Sequence, residues 1–279
     1  MGNQIGEYNY YQSIAFWVKM NKTMNNILQT KSAKKMYLDR QSEFNDIIEL
    51  LRVYRIDTKR TIIALGGAES ITGIYNSLDR SVLGSVASDK IKMLYVPIGV
   101  FGNADIVKTV DEYVTIVKRY YQGLGSEVDF KYVSPHDSED EIISKIKEAG
   151  IVYLAGGDTK YLIEKLSAPK IEEALKESYE KGTILIGNSA GILCLLQNPV
   201  SFSYGDEPEY MKGLGLLKKY CILVHYSPEK DAHIKKIQKQ VKDDQIVLLP
   251  ESGAAIFINE ELVASTEKNS VLPTAGNTR

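Results

Sequence analysis

The segment TILIGNSAGILCLL, residues 183–196, joins two apolar runs through a turn of small residues. The first run, residues 183–186, is short and follows a glycine, which predicts a buried strand. The second run, residues 192–196, predicts a buried helix. Ser189 stands between them with a glycine on each side, the pattern of a nucleophile elbow. Its hydroxyl would lie at a helix N-terminus, where free N–H groups favour negative charge, although an ordinary strand-to-helix turn uses the same residues.

Short apolar runs and amphipathic segments alternate around this turn. The runs at 61–65, 91–96 and 151–154 each end at glycine or proline and predict strands. The segments between and after them have helical spacing and lie near residues 70–88, 104–122, 138–149 and 160–180. This order predicts an α/β fold, a three-layer sandwich with helices on both faces of a mostly parallel sheet. Further along, strands are expected at 221–224, 246–249, 254–258 and 261–265, and a helix near 229–241.

Residues 1–60 differ in texture from residues 61–279, which hold the alternation. They are nearly free of glycine, lack proline, and carry apolar residues at helical spacing, for example Phe44, Ile47 and Leu51. We therefore predict an N-terminal helical extension, 1–60, before a catalytic α/β domain, 61–279. Its apolar stripes are expected to pack on the main body or on a second subunit, so a homo-oligomer formed through the N-terminal helices is one expectation.

Composition excludes several classes of protein. Lys and Arg total 34 and Asp and Glu 36, a net charge of −2, so no nucleic-acid partner is expected. The two cysteines lie in apolar stretches, which favours buried thiols, and the N-terminus lacks a secretory signal. No stretch has the length of a membrane span, so we predict a cytoplasmic protein without a membrane partner. With three scattered histidines and no zinc or phosphate-loop motif, no metal and no cofactor is predicted.

A serine nucleophile needs a base, and histidine is the usual one. His136 follows Ser134-Pro135 in a loop-like stretch, and His233 lies in a charged helical segment where a solvated side chain is the default. His225 instead closes the apolar strand 222–224, at the sheet edge where Ser189 is predicted. A purely structural histidine is the alternative at this position.

The third group should be a carboxylate that orients the imidazole. Glu251 follows the apolar strand 246–249 and Pro250, again at a strand end. Asp206, Glu207 and Glu209 are competing acids that would restore the chain order of α/β-hydrolases, but too few strands separate them from Ser189 for that fold.

Charge developing on a carbonyl oxygen needs two N–H donors. Ala190 can supply one from the helix start, and Gly157 can supply the other because the pair Gly156-Gly157 allows close backbone approach. The same stretch could be a strand-to-helix turn capped by Asp158 or Thr159, and both roles can coexist.

The chain resembles peptidase family S51, which contains dipeptidase E and the cyanophycinases. The likeness covers roughly residues 61–265 and is carried by the segments 153–159, 187–191, 213–217 with His225-Tyr226, and 249–253. It implies a fold similar to class I glutamine amidotransferase domains, a flavodoxin-like fold. Carried over by position, it also implies Ser189 as nucleophile, His225 as base, Glu251 as orienting acid, and the Gly157 and Ala190 backbone as oxyanion hole. The adjoining Asp158, Asn188 and Tyr226 are predicted to contact substrate.

The resemblance predicts a cytoplasmic serine peptidase that hydrolyses dipeptides or short peptides through an acyl-enzyme. Two alternatives are a catalytically silent relative that binds a peptide or amide, and another amidase of the same fold. In dipeptidase E an arginine after the histidine segment is expected to hold an aspartate carboxylate. Residues 229–242 contain lysines but no arginine, and lysine offers no bidentate fork, so aspartyl specificity is not predicted.

Overall fold

The structure is a computed structural model that describes residues 44–53, 56, 59–87, 91–101, 110–125, 127–202, 207–241, 244–266 and 271–272. Most of the predicted N-terminal extension, residues 1–43, lies outside the described residues. Its role in assembly stays a prediction. None of the helices in these ranges combines the length and apolar character needed to cross a bilayer.

Eight α-helices and twelve strands are defined in the described ranges. The helices are α1 (Asn45–Val53), α2 (Asn76–Ser85), α3 (Val110–Gln122), α4 (Glu139–Glu148), α5 (Thr159–Leu166), α6 (Pro169–Glu180), α7 (Ala190–Leu195) and α8 (Asp231–Gln240). The strands are β1 (Thr61–Leu65), β2 (Ile91–Val96), β3 (Val128–Tyr132), β4 (Ile151–Leu154), β5 (Ile184–Asn188), β6 (Val200–Ser201), β7 (Glu209–Tyr210), β8 (Tyr220–Tyr226), β9 (Gln245–Pro250), β10 (Ala254–Ile258), β11 (Glu261–Ser265) and β12 (Val271–Leu272).

A seven-stranded sheet in the order β11-β10-β1-β5-β4-β2-β3 forms the centre of the domain. The strands from β1 to β3 in this order pair in parallel, whereas β10 and β11 add two antiparallel strands at one edge. Because β1, β5 and β4 are neighbours and run in parallel, the loops that follow them meet at one edge of the sheet. The predicted α/β fold with a mostly parallel sheet is confirmed.

Side chains alternate between the two faces of this sheet, so each strand feeds two apolar layers. In β1, Ile62 packs with the layer under α4 to α7, whereas Ile63 packs with the layer under α1 to α3. Leu94 and Met93 of β2 divide in the same way. This alternation is the physical basis of the three-layer sandwich.

Helix α1 belongs to the second of these layers. Phe44, just before it, is buried and meets the Tyr75 ring edge-on with the ring centroids 5.8 Å apart. Ile47 and Leu51 are buried on the same face, as their helical spacing requires. Residues 44–53, the described end of the predicted extension, therefore pack into the core of the α/β domain.

The segment 160–180 has the spacing of one helix but forms two, α5 and α6. Pro169 is the first residue of α6, a position that suits its fixed φ and missing N–H. The same residue in a helix interior would remove a hydrogen bond and clash with the preceding turn. The break at Ala168 follows from this proline.

Strands β8, β9 and β12 form a second, smaller sheet in which β8 and β9 run in parallel. Helix α8 packs on it through Ile234 and Ile237. The backbone N–H of His225, near the end of β8, donates to the carbonyl of Gly66, just after β1, over 2.8 Å. This bond joins the ends of the two sheets.

Candidate active site

Ser189 lies on a strained turn between β5 and α7. Its backbone has φ 51° and ψ −116°, a rarely populated positive-φ conformation that costs on the order of 1–3 kcal/mol in a residue with a side chain. The flanking glycines are required by close packing, because a Cβ on Gly187 would lie 2.5 Å from the Ile192 Cα and one on Gly191 would lie 2.0 Å from the Leu154 carbonyl oxygen. The turn therefore lifts the serine out of the sheet edge while α7 packs against the end of β4.

The Ser189 hydroxyl reaches the imidazole of His225. The Oγ–Nε2 distance is 2.7 Å, within the range of a hydrogen bond. His225 also has a positive φ, 49°, so both ends of this contact occupy unusual backbone conformations. Strain of this kind persists where the surrounding structure enforces it, and it is concentrated at functional sites.

Gly67 packs against the imidazole ring of His225. A Cβ there would lie 2.0 Å from the His225 Cε1 atom, and its φ of 143° is one that residues with side chains avoid. The backbone at Gly67 thus contacts the imidazole ring directly and limits the movement of the ring.

The other imidazole nitrogen faces a carboxylate. His225 Nδ1 and Glu251 Oε2 are 2.5 Å apart, and the side chains are 37% and 62% exposed, so the pair is open to solvent. Two hydrogen bonds to the Glu251 carbonyl hold the turn that carries this residue. The buried Tyr75 hydroxyl donates to it over 3.0 Å, and the Ala68 N–H donates to it over 2.8 Å. A hydroxyl, an imidazole and a carboxylate in hydrogen-bonded series can activate a nucleophile.

The competing acids lie in other interactions. Glu207 forms an ion pair with Lys236, and Glu209 forms one with Lys160, while Asp206 lies outside the described residues. The structure therefore brings Glu251, and neither Glu207 nor Glu209, to the histidine.

The other two histidines lie in different surroundings from His225. His136 is exposed in the turn before α4. His233 differs from the expected solvated side chain, because its ring packs on Phe202 with 5.7 Å between centroids and its Nδ1 atom is buried.

Gly157 and Ala190 begin neighbouring strand-to-helix connections, after β4 and β5. Gly157 has φ 136°, and a Cβ at this position would lie 2.5 Å from the Gly99 backbone, so this loop packs too tightly for a side chain. Ala190 is the first residue of α7, where N–H groups lack partners inside the helix. Both backbones are at the sheet edge that carries Ser189.

The three predicted substrate contacts have partners within the protein. Asp158 is the N-cap of α5, and its Oδ1 accepts from the Tyr161 N–H over 2.9 Å. Tyr226 donates to Asp231 over 2.7 Å. Asn188 is buried, and its Nδ2 donates to the Ala68 carbonyl over 3.2 Å, which ties the elbow to the loop after β1. A substrate role for these residues stays a prediction.

Sequence reasoning missed two charged residues at this edge, Glu69 and Lys230. Glu69 follows the glycine pair after β1, and Tyr113 of α3 donates to its Oε2 over 2.5 Å. Lys230 donates to the His225 carbonyl over 2.7 Å, and burial lowers the pKa of its ammonium while Glu251 opposes that decrease. Glu69 could have been suspected, because it follows a strand that ends at the same edge as Ser189.

Beneath the loop after β1 lies a buried polar group. Burial raises the pKa of Asp79 to about 7, although the Tyr120 hydroxyl donates to its Oδ2 over 2.7 Å. Ser70 lies beside it and contacts the hydroxyls of Tyr153 and Tyr121 at 3.3 and 3.4 Å. These bonds support the loop from the α2 and α3 side.

Comparison with known proteins identifies the family of the chain. The profile of peptidase family S51 matches residues 62–266. The uncharacterized peptidase YgaJ of Bacillus subtilis (strain 168) is 24% identical over 222 residues, 76% of this chain and 89% of YgaJ. The uncharacterized peptidase Lin0382 of Listeria innocua serovar 6a is 27% identical over 175 residues, 60% of this chain and 82% of Lin0382.

Two solved structures share the fold. A peptidase from an acI-B1 Actinobacterium superposes with a TM-score of 0.56 at 19% identity, covering 71% of this chain and 82% of its own. A putative peptidase E protein from Listeria monocytogenes EGD-e gives a TM-score of 0.51 at 18% identity, covering 73% and 96% of the two chains. The match to the family profile extends over most of the chain, from β1 to the end of β11, and includes the serine, the histidine and the glutamate. The protein therefore belongs to peptidase family S51.

Proposed function

We propose that the protein is a serine peptidase that hydrolyses dipeptides or other short peptides through an acyl-enzyme on Ser189. The observation that carries this proposal is the 2.7 Å contact between Ser189 Oγ and His225 Nε2 on a strained turn. Membership of a peptidase family supports hydrolysis of peptide bonds as the reaction.

In the proposed mechanism His225 takes the proton of Ser189 as the hydroxyl attacks the peptide carbonyl. Glu251 holds the Nδ1 side of the ring and stabilises the imidazolium that forms. The imidazolium then protonates the leaving amine as the C–N bond breaks, which leaves an ester between the acyl group and Ser189. A water molecule activated by His225 hydrolyses that ester and restores the serine.

The negative charge on the carbonyl oxygen needs donors in both steps. We assign these to the N–H groups of Gly157 and Ala190, which lie on adjacent loops at the same edge. One such donor is worth about 10²- to 10³-fold in rate in other serine hydrolases. The start of α7 adds the positive end of its helix dipole.

The direct test compares wild type with Ser189→Ala on a panel of dipeptides and tripeptides, together with labelling by a fluorophosphonate. We expect labelling at Ser189 in the wild type and a loss of at least about a thousandfold in hydrolysis in the variant. Ser81→Ala is the matched control, because that hydroxyl donates to the Ser77 carbonyl within its own helix, α2. Equal hydrolysis by wild type and Ser189→Ala would remove Ser189 from the mechanism.

The same experiment separates the alternatives. Labelling of Ser189 without hydrolysis of any peptide would indicate another amidase of this fold. Peptide binding with neither labelling nor hydrolysis would indicate a catalytically silent relative.

A further inference from the structure

The loop after β1 contacts the His225 ring, the turn that carries Glu251 and the residue before Ser189. Gly67 lies against the His225 ring, the Ala68 N–H donates to the Glu251 carbonyl, and the Ala68 carbonyl accepts from Asn188, the residue before the serine. Glu69 is the next residue of this loop. The backbone of Glu69 therefore lies within two residues of contacts to His225, to the Glu251 turn and to Asn188.

Within the described ranges, the Glu69 carboxylate has a hydrogen-bond donor and no counter-ion. The Tyr113 hydroxyl binds its Oε2 atom, and among the described residues no lysine, arginine or histidine forms an ion pair with it. The side chain is partly buried. A carboxylate withdrawn from water without a positive partner is costly, so a cation at this position would relieve that cost.

Electrostatic coupling relates Glu69 to the catalytic groups. Burial raises the pKa of the Glu69 carboxyl, the Tyr113 hydrogen bond opposes the increase, and the charges of Glu251 and His225 raise and lower it respectively. The contributions of Glu251 and His225 are the smaller ones, and they have opposite signs.

The charges around this edge favour a positive ligand. Glu69 and Glu251 carry negative charge, and Asp158 adds another at the loop that holds Gly157. Lys230 opposes them, but one of its N–H groups is engaged by the His225 carbonyl and its pKa is lowered by burial. An acidic substrate group would meet more repulsion than attraction here.

We propose that Glu69, held by Tyr113, is the specificity-determining residue of this site and binds an ammonium or guanidinium group of the substrate. This inference rests on the proposed peptidase function. The cation is either the free N-terminus of the peptide or a basic side chain, and both offer charged N–H donors to a carboxylate. The protein would then select cationic over acidic peptides.

Binding measured on Ser189→Ala tests this inference without turnover. Three dipeptides separate the sources of positive charge: Ala-Ala has only an α-ammonium, acetyl-Lys-Ala has only a side-chain ammonium, and acetyl-Ala-Ala has neither. Their dissociation constants are measured by calorimetry for Ser189→Ala and for the same protein with Glu69→Gln. Glutamine keeps the size of the side chain and an acceptor oxygen for Tyr113.

We expect the preferred cationic dipeptide to bind about 10- to 100-fold more weakly after Glu69→Gln, the range for a hydrogen bond to a charged group. Acetyl-Ala-Ala should bind equally to both proteins. Glu69→Asp should recover part of the affinity, and Glu173→Gln on the exposed face of α6 should change nothing. Thermal unfolding of each variant separates lost binding from lost fold.

Unchanged affinity of both cationic dipeptides after Glu69→Gln would overturn the inference, as would tighter binding of acetyl-Asp-Ala than of either cationic dipeptide. Neither result bears on Ser189, because hydrolysis by the wild type and fluorophosphonate labelling test the peptidase function separately.

Discussion

Replacing Gly67 by alanine should disable the site while leaving the fold intact. The new Cβ would lie 2.0 Å from His225 Cε1, 2.3 Å from Nδ1 and 2.8 Å from Nε2. Ordinary contact begins near 3.4 Å, so the ring must retreat by about 1.4 Å or the loop must move by as much. Either movement exceeds what the 2.7 Å Ser189 contact and the 2.5 Å Glu251 contact can both absorb.

The expected loss follows from two general magnitudes. A misplacement of about 1 Å in a reacting group costs about a hundredfold, and a general base contributes about 10²- to 10⁴-fold. Gly67→Ala should therefore lower kcat/KM, and the rate of fluorophosphonate labelling at Ser189, by about 10²- to 10⁴-fold. Circular dichroism should show an unchanged content of helix and strand.

Gly215→Ala and Gly84→Ala are the controls. Gly215 also has a positive φ, 68°, but a Cβ there meets nothing within 4 Å, so it isolates the backbone strain of about 1–2 kcal/mol. Gly84 is exposed in α2 with open space around it, where alanine should be neutral or stabilising. Labelling of Gly67→Ala at the wild-type rate would contradict this prediction, because His225 could then leave its observed position without consequence.

Three further outcomes are expected. Asp79→Asn should stabilise the protein more and more as the pH rises. Burial raises the pKa of the Asp79 carboxyl from its ordinary value of 3.8 to about 7, so the wild type loses stability as the pH rises between these two values, whereas the asparagine variant does not. The gain measured by urea unfolding should grow by about 3 kcal/mol between pH 5 and pH 8, and a constant gain would contradict the buried carboxyl. Tyr75→Phe should cost about 1–3 kcal/mol of unfolding free energy and slow labelling of Ser189, since the hydroxyl holds the Glu251 turn; stability equal to wild type would argue against that bond. Cys194 and Cys221 are buried, which raises the pKa of both thiols, so a thiol reagent should modify them only on unfolding; rapid reaction in the folded protein would contradict their burial.

The elements around Ser189 were predictable because their signals are local. A short apolar run bounded by glycine predicts a buried strand, and β5 and α7 lie where the segment 183–196 indicates. Both glycines of the turn are visible in the sequence, but only one has a local reason. A Cβ on Gly187 would lie 2.5 Å from the nearby Ile192 Cα, whereas one on Gly191 would lie 2.0 Å from the carbonyl oxygen of Leu154 in β4. Pro169 is visible in the sequence, but the helical spacing of apolar residues continues across it. The spacing alone therefore does not predict the break between α5 and α6.

Glu69 and Tyr113 could not be paired from sequence. They lie 44 residues apart, Glu69 in a loop and Tyr113 in α3. The packing of α3 on the sheet decides which side of the helix faces that loop. The same holds for Tyr75 and Glu251, which are 176 residues apart. Such contacts leave no periodic signal, because each partner satisfies the local rules of its own element.

Hydrophobic spacing and the pattern of glycines act over a few residues, so the amino-acid sequence is enough to predict the alternation of strands and helices, the turn at Ser189 and the candidates His225 and Glu251. Packing between distant segments places β8 and β9 in a separate sheet whose ends reach the central one. The bond from the His225 N–H to the Gly66 carbonyl and the absence of a side chain on Gly67 bring the imidazole to the serine. These are contacts between distant parts of the chain, and their geometry is set by packing of the two sheets rather than by any local pattern.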